Sequence, residues 1–274
     1  MINYDLVKAA LAEDLAGGVD ITSVATIAAD AELQAEFVAR ESGVVVGIEM
    51  AKAVLAEVGV TRIEVLVQDG ASVNAGDVLI RVLGNARAIL LAERTALNFL
   101  GHLSGIATLT SQWVKAIAGT NCQVHDTRKT TPGWRELEKF AVRMGGGTNH
   151  RMSLSDAALI KDNHIAAAGG VKAAFNAVRS KFPTAPIEIE VDTLAQLAEV
   201  LPLKPDLVLL DNMTPEQCRA AVSLVAGQTK LEASGGITLD LARSYAETGV
   251  DYLAIGALTH SAKNFDIGLD VRSK

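Results

Sequence analysis

The chain has 274 residues, 49% of them apolar, with 25 Lys and Arg against 32 Asp and Glu for a net charge of −7. That length accommodates one large or two modest domains with a sizeable core. The acidic balance excludes general attraction to nucleic acid or to an anionic membrane, so any positive patch must be local. Cys122 and Cys218 have no metal-ligand spacing and read as reduced, buried side chains, which suits the cytoplasm. The first fifteen residues carry Asp5, Glu13 and Asp14 in a helical pattern unlike a signal peptide, and no uncharged apolar run reaches membrane-spanning length.

In chain order, an opening helix is followed by short predicted strands at Leu33–Arg40, Val44–Ile48, Ile63–Val67 and Val78–Leu83, with a helix near Glu49–Val58. Short strands with glycine-bearing turns predict a small α+β sheet domain over residues 1–110. The stretch Gln68 to Leu79 has the turn-and-strand pattern of biotinyl or lipoyl carrier domains, but it offers no lysine to modify. Asn85–Ala118 reads as a long helical stretch, expected to break near Gly101 or Gly105. Arg87, Arg94 and Asn98 fall near one of its faces amid apolar neighbours, so a charge there must meet a carboxylate or face something outside the domain.

From Cys122 the pattern becomes strand–helix alternation. Apolar runs at Cys122–Asp126, Ala157–Ile160, Ile187–Val191, Leu207–Leu210, Lys230–Ala233 and Tyr252–Ile255 predict βα units. Six such strands are fewer than the eight of a full (β/α)₈ barrel. The fold class is therefore α/β: an incomplete barrel of about six parallel strands over residues 111–274, with its C-terminal end able to return to the N-terminal domain.

Each predicted strand ends in polar residues or glycine. The first runs into His125-Asp126-Thr127-Arg128-Lys129-Thr130 and the second into Lys161-Asp162-Asn163-His164. The third carries Glu188, Glu190 and Asp192 at alternate positions, and the last three end at Asp211-Asn212, Ser234-Gly235-Gly236 and Gly256. In parallel α/β folds ligands sit in the mouth formed by these strand ends, so the chemistry belongs there.

The charges divide by sign. Between Asn121 and His164 lie seven basic residues and five acids, a window of +2 in an acidic chain, with three of the five histidines. Such an island focuses an anionic ligand. Arg135, Lys139 and Arg143 lie on a predicted helix capped by Thr131 with Pro132 in its first turn, where Arg135 and Lys139 read as a solvated face. Arg143 near that helix end either complements the dipole or touches ligand. Arg128, Lys129, Arg151 and Lys161 have no such explanation, and their number suits two carboxylates and several phosphates. Gly145-Gly146-Gly147 allows close backbone approach to a ligand or a moving lid.

Glu190 and Asp211 come from later strands. Glu188 and Glu190 share a face by strand periodicity, and hard oxygen donors suit Mg²⁺ accompanying a pyrophosphate. A carboxylate also stabilises a developing ribosyl oxocarbenium ion. Ser234-Gly235-Gly236 and Ile255-Gly256-Ala257 resemble the glycine-bearing loops that take a single phosphate after the final strands of such barrels. No GxxxxGK[ST] or GxGxxG run occurs.

Together, Glu93-Arg-Thr-Ala-Leu-Asn, Asp126-Thr-Arg-Lys-Thr-Thr-Pro-Gly, Gly145-Gly-Gly-Thr-Asn-His-Arg, Lys161-Asp-Asn-His, Glu190-Val-Asp, Leu210-Asp-Asn, Ser234-Gly-Gly-Ile and Ile255-Gly-Ala-Leu-Thr-His resemble the quinolinate phosphoribosyltransferase family over nearly the whole chain. The resemblance implies an N-terminal open sheet sandwich, an incomplete α/β barrel and a homodimer. It implies transfer of phosphoribosyl from phosphoribosyl pyrophosphate to quinolinate, with Mg²⁺, giving nicotinate mononucleotide, pyrophosphate and carbon dioxide. By that resemblance Arg128, His150, Arg151 and Lys161 bind the two carboxylates of quinolinate, and Lys129 lies between quinolinate and the donor's pyrophosphate. Glu190 and Asp211 hold the ribose hydroxyls directly or through Mg²⁺, with any metal contact direct or through water. Ser234, Gly235, Gly236 and Gly256 hold the 5′-phosphate, and Thr127 and Ala257 complete the binding set. Lys129, Lys161, Glu190 and Asp211 are the implied catalytic residues, Arg94 enters the neighbouring subunit's site, and the role of His260 is left open.

Three other readings compete. A paralogue of the molybdenum-transport-associated type would share the fold with another acceptor, against which the complete basic set argues. A sugar-phosphate isomerase or aldolase would use Lys161 as base or Schiff-base amine, yet this lysine sits among other cations. A carrier module rests only on the Asp69–Leu79 stretch.

Overall fold

The computed structural model describes residues 2–272, which divide into two units. The first comprises residues up to Ser111, then Leu137–Gly146 and the residues after His260. It begins with α1 (Tyr4–Leu15) and α2 (Ile21–Thr26), whose N-caps Asn3 and Asp20 accept from the backbone N–H groups of Leu6 and Ser23. Then come β1 (Glu32–Ala39), β2 (Gly43–Val44), α3 (Ile48–Glu57), β3 (Arg62–Val65), β4 (Ser72–Val73) and β5 (Val78–Asn85). The predicted strand from Val44 to Ile48 is only two residues long. Gly47 takes φ 104° there, and Asp69 accepts from the N–H groups of Gly47 and Ile48, which turns the chain into α3.

Strands β1, β5 and β3 form an antiparallel sheet, completed at its other edge by β12 (Ile267–Val271) against β1. The long helix α4 (Ala86–Ala116) is unbroken, contrary to the expected interruption. Its glycines serve approach instead of bending. A side chain on Gly105 would lie 2.2 Å from the Lys263 carbonyl oxygen, and one on Gly101 would lie 3.1 Å from that of Phe265. Ile89, Phe99, Leu100, Leu103 and Ile106 on α4 are fully buried, each stabilising by about 1.5–3 kcal/mol as a hydrophobic side chain removed from water.

The second unit, Gln112–Glu136 and Gly147–His260, carries six parallel strands in the order β6-β11-β10-β9-β8-β7. They are β6 (Gln123–His125), β7 (Ala158–Ile160), β8 (Ile187–Val191), β9 (Leu207–Asp211), β10 (Lys230–Ser234) and β11 (Tyr252–Ala254). The edge strands are the two earliest in sequence, as in a barrel left open between β6 and β7. An isolated parallel bridge between His125 and Thr148 borders β6.

Helix α5 is Arg135–Met144, later than the expected start, because Thr131 to Trp134 form a turn. It corrects another expectation. Lys139 is wholly buried, and Leu137, Glu138, Ala141 and Val142 are buried with it, so this charge-rich helix offers little solvated face. Arg135 is half-buried and donates to Thr130 and to the Met152 carbonyl. The remaining helices are α6 (Asp162–Ala168), α7 (Val171–Lys181), α8 (Leu194–Val200), α9 (Pro215–Val225), α10 (Ala242–Ala246) and α11 (Ala257–His260). Thr193 with Gln196, and Thr214 with Gln217, form capping boxes that start α8 and α9 a few residues beyond their strands.

Candidate active site

Alternate residues of the parallel strands face one mouth. Leu159, Glu190, Leu209, Asp211, Glu232, Ser234 and Ala254 line a cavity of about 810 Å³. The two-residue steps within β9 and β10 are the strand period, which puts successive odd or even positions on one side. The loops at the strand ends add Thr127, Arg128, Lys129, His150, Arg151, Lys161, Gly235, Gly236, Gly256, Ala257 and His260. Every sequence-predicted site residue of this unit therefore meets in one cavity. Arg94, on α4, is exposed and does not line it.

The cationic side is built by two loops. Asp126, fully buried, accepts from the His150 N–H at 2.9 Å and from the Asn149 side-chain amide, tying the segment after β6 to the segment before Arg151. Thr127 Oγ1 accepts from the Lys129 N–H at 3.0 Å, and the Lys129 carbonyl accepts from Thr259. Arg128 Nε is buried without a hydrogen-bond partner, a donor with nothing to give to. Arg151 donates to the Ala157 carbonyl at 2.8 Å. Burial and then the nearby Arg128 charge lower the pKa of Arg151, so the two guanidiniums sit close enough to repel each other, a repulsion that a bound dianion would relieve.

The acidic side is more open. Lys161 Nζ lies 2.5 Å from Glu190 Oε2, so the two side chains neutralise each other at the mouth. The pKa of Asp211 is raised by burial and then by the charges of Glu190 and Asp192. Anions crowded in this way favour a cation among them. Hard carboxylate oxygens at a half-open position fit Mg²⁺, so the donor set matches the expected ion. Asn212, at φ 54°, donates to Asp211 Oδ2 at 2.7 Å.

The glycine loop beside it is sterically required. Gly235 has φ 94°, and a side chain there would lie 2.1 Å from Asn212 Oδ1. Gly256 lies against Lys129, His260 and Thr127, where a side chain would come within 3.0 Å of the Lys129 chain. By contrast Gly145, which the sequence offered as part of a lid or ligand approach, packs against α4. A side chain on it would come 2.4 Å from the Ala107 carbonyl oxygen.

Beneath the cations lies a buried polar cluster that the sequence only half disclosed. His125 Nδ1 is 2.6 Å from Glu232 Oε1, and His150 Nε2 is 2.7 Å from Glu188 Oε2 and 3.4 Å from Glu232 Oε2. Burial lifts the pKa of Glu188 to about 7. Burial opposes ionisation of Glu232 too, but the His125 hydrogen bond and then the facing His150 imidazole outweigh it and hold this carboxyl down at about 2. Burial also opposes charge on His150, and the two glutamates outweigh it and push its pKa up. The backbone N–H of Arg151 points at His150 Nδ1 from 2.8 Å, which limits that rise and keeps the ring proton on Nε2. Donor atoms of His150, Glu188 and Glu232 lie within 4.8 Å of one another, a spacing a metal could use. With Nε2 carrying hydrogen, the ring has no lone pair to offer there, and the set shares protons instead.

Glu232 is not marked by any motif in the sequence. The signal was present: it lies two residues before Ser234 on the same strand, so it shares the mouth-facing side.

Comparison with known proteins accords with this geometry. The family model described as quinolinate phosphoribosyl transferase, N-terminal domain, matches residues 20–104, and its C-terminal counterpart matches residues 106–270. The Mycobacterium leprae protein named nicotinate-nucleotide pyrophosphorylase (carboxylating) is 51% identical over 273 residues, covering 97% of this chain and 96% of that one. Among solved structures, nicotinate-nucleotide pyrophosphorylase from Francisella tularensis superposes with a TM-score of 0.94 at 40% identity, covering 99% of this chain and 98% of that one. The enzyme of that name from Ehrlichia chaffeensis gives 0.94 at 38% identity, with 98% of each chain covered. With both family domains matched in order and half the residues shared with a full-length relative, the chain belongs to the quinolinate phosphoribosyltransferase family.

Proposed function

We propose that this chain transfers phosphoribosyl from phosphoribosyl pyrophosphate to the ring nitrogen of quinolinate, with loss of the adjacent carboxylate. The products are nicotinate mononucleotide, pyrophosphate and carbon dioxide, a step of de novo NAD synthesis. The carrying observation is the pairing in one cavity of a cationic wall, where Arg128 and Arg151 crowd, with an acidic wall formed by Glu190 and Asp211.

Arg128, Arg151 and Lys161 bind the two carboxylates, guanidinium forks meeting carboxylate edges. His150 contributes to the same task by presenting Arg151, since its ring nitrogens face the Arg151 N–H and Glu188. Lys129 bridges toward the pyrophosphate. Glu190 and Asp211 hold the ribose hydroxyls and stabilise positive charge developing on the sugar. Ser234, Gly235, Gly236, Gly256 and Ala257, with Thr127, take the 5′-phosphate. Glu190 and Asp211 would also hold Mg²⁺, directly or through water, and such an ion would supply positive charge to a pyrophosphate leaving group.

Ribosylation leaves the pyridine nitrogen cationic; the electron pair released as the neighbouring carboxylate departs as carbon dioxide stays on that ring carbon, stabilised by the adjacent positive nitrogen, and takes up a proton from solvent to give the product. The protein's part is to position, neutralise and desolvate. No helix among the described residues is long and apolar enough to cross a membrane, and we place the enzyme in the cytoplasm.

The working unit is a homodimer in which the exposed Arg94 of one subunit enters the other's site. Arg94→Ala and Lys129→Ala proteins, each inactive alone, then regain activity when mixed under conditions where folded subunits exchange. Continued inactivity of the mixture refutes the shared site. The reaction itself is tested by incubation with quinolinate and phosphoribosyl pyrophosphate. Nicotinate mononucleotide forms only with both substrates and stops when a chelator removes Mg²⁺; no product with both substrates and Mg²⁺ present refutes the reading.

A further inference from the structure

Glu232 is wholly buried in the middle of β10, and its carboxylate bonds His125 at the end of β6 and faces His150 in the segment before β7. His125 ends β6, three residues before Arg128, and His150 immediately precedes Arg151. Strand β11 lies between β10 and β6 in the sheet, and of its residues the small Ala254 is the one that lines the mouth. Glu232 thus spans a strand to reach its partners. Tyr252 stacks on the His125 ring at 4.0 Å with a 13° interplanar angle and fixes it from another side. The other carboxylate oxygen, Oε2, has no hydrogen-bond partner and stands 3.4 Å from His150 Nε2. A buried charge with one oxygen unsatisfied is costly to a fold, and a well-packed apolar residue would serve stability better.

We propose that Glu232 is a positioning residue for the acceptor: by joining His125 and His150 it sets the two cation-bearing loops, 127–129 and 149–151, at the separation that quinolinate's two carboxylates require. The proposal rests on the reading of Arg128 and Arg151 as carboxylate ligands. Glu232 touches neither substrate; it acts through the histidines. Most of the donor half is built elsewhere, from Glu190, Asp211 and the Ser234–Gly236 loop, and only Thr127 and Lys129 share a loop with this junction.

The test is calorimetric binding of quinolinate and, separately, of phosphoribosyl pyrophosphate with Mg²⁺, alongside KM for each. Glu232→Gln keeps the volume and removes the charge. Its quinolinate affinity falls about tenfold, as for loss of one charge-assisted hydrogen bond, while donor affinity, which has only Thr127 and Lys129 on the affected loop, falls by less than about threefold. His125→Gln shows the same split more weakly. The double variant is no worse than Glu232→Gln alone, because the two residues act as one unit. If Glu232→Gln does not fold, as thermal unfolding would show, His125→Gln carries the test. Equal weakening of both substrates, or unchanged quinolinate affinity, overturns the proposal. An Arg151→Ala control separates the two levels. If it spares quinolinate binding, the ligand reading fails and the positioning role fails with it. If it abolishes binding while Glu232→Gln does not shift it, only the positioning role fails.

Discussion

Two of the buried glutamates, Glu36 of the antiparallel sheet and Glu232 of the parallel one, show what distinguishes a structural acid from a functional one. Glu36 sits in β1 of the antiparallel sheet, beneath Arg81 at 2.8 Å and Arg272 at 2.7 Å. Its low exposure comes from the two arginines lying over it, and their hydrogen bonds lower its pKa. Arginine does not titrate near neutrality, so this arrangement fixes the last strand to the sheet and has nothing to exchange. Glu232 occupies the parallel sheet, and its partners are histidines. One of its oxygens is unsatisfied, and a second carboxyl, Glu188, shares the same imidazole. The first glutamate is satisfied and capped, whereas the second is buried at a cost and aimed at groups that face a cavity.

The largest expected effect lies in the wall above Glu232. Arg151→Ala removes one fork and its backing of the second carboxylate, and quinolinate binding should weaken by about two to three orders of magnitude. Calorimetry measures it, and a loss of less than about tenfold would mean that this wall does not hold the dianion.

Acid stability sharpens the comparison further. Glu232 is held at about 2 in the fold against an ordinary 4.5, so its stabilisation is present above pH 4.5 and is lost as pH falls toward 2. Between pH 5 and pH 3 the wild type should lose on the order of 2 kcal/mol more stability than Glu232→Gln, which has no such group to protonate. Chemical denaturation at the two pH values checks this, and parallel losses would contradict it. The smallest effect belongs to Glu36→Gln, which leaves KM for both substrates at wild-type values because its partners only bind strand to strand.

Much of this was legible in the sequence. The six parallel strands were visible as apolar runs, and their polar ends marked the mouth, because a strand buried on both faces carries most of its charge where it terminates. Arg128, Lys129, Arg151, Lys161, Glu190 and Asp211 stand at those ends, and the structure gathers them in one cavity. What stayed hidden depends on neighbours distant in sequence. Lys139 looked solvated because helical spacing does not reveal how many sides of α5 are covered. Gly101 and Gly105 looked like breaks because composition does not distinguish a flexible glycine from one pressed against the carbonyls of Phe265 and Lys263. The link from Glu232 to His125 joins residues 107 positions apart, across an intervening strand. Its strand periodicity was readable, but its partners were not.

The central claim is that this mouth couples ribosyl transfer to loss of one particular carboxylate. Quinolinate labelled in the carboxyl carbon adjacent to the ring nitrogen tests it in a single turnover with phosphoribosyl pyrophosphate and Mg²⁺. The account predicts that the label leaves wholly as carbon dioxide, in step with pyrophosphate. Label retained in a ribosylated product, or released without pyrophosphate, would contradict it.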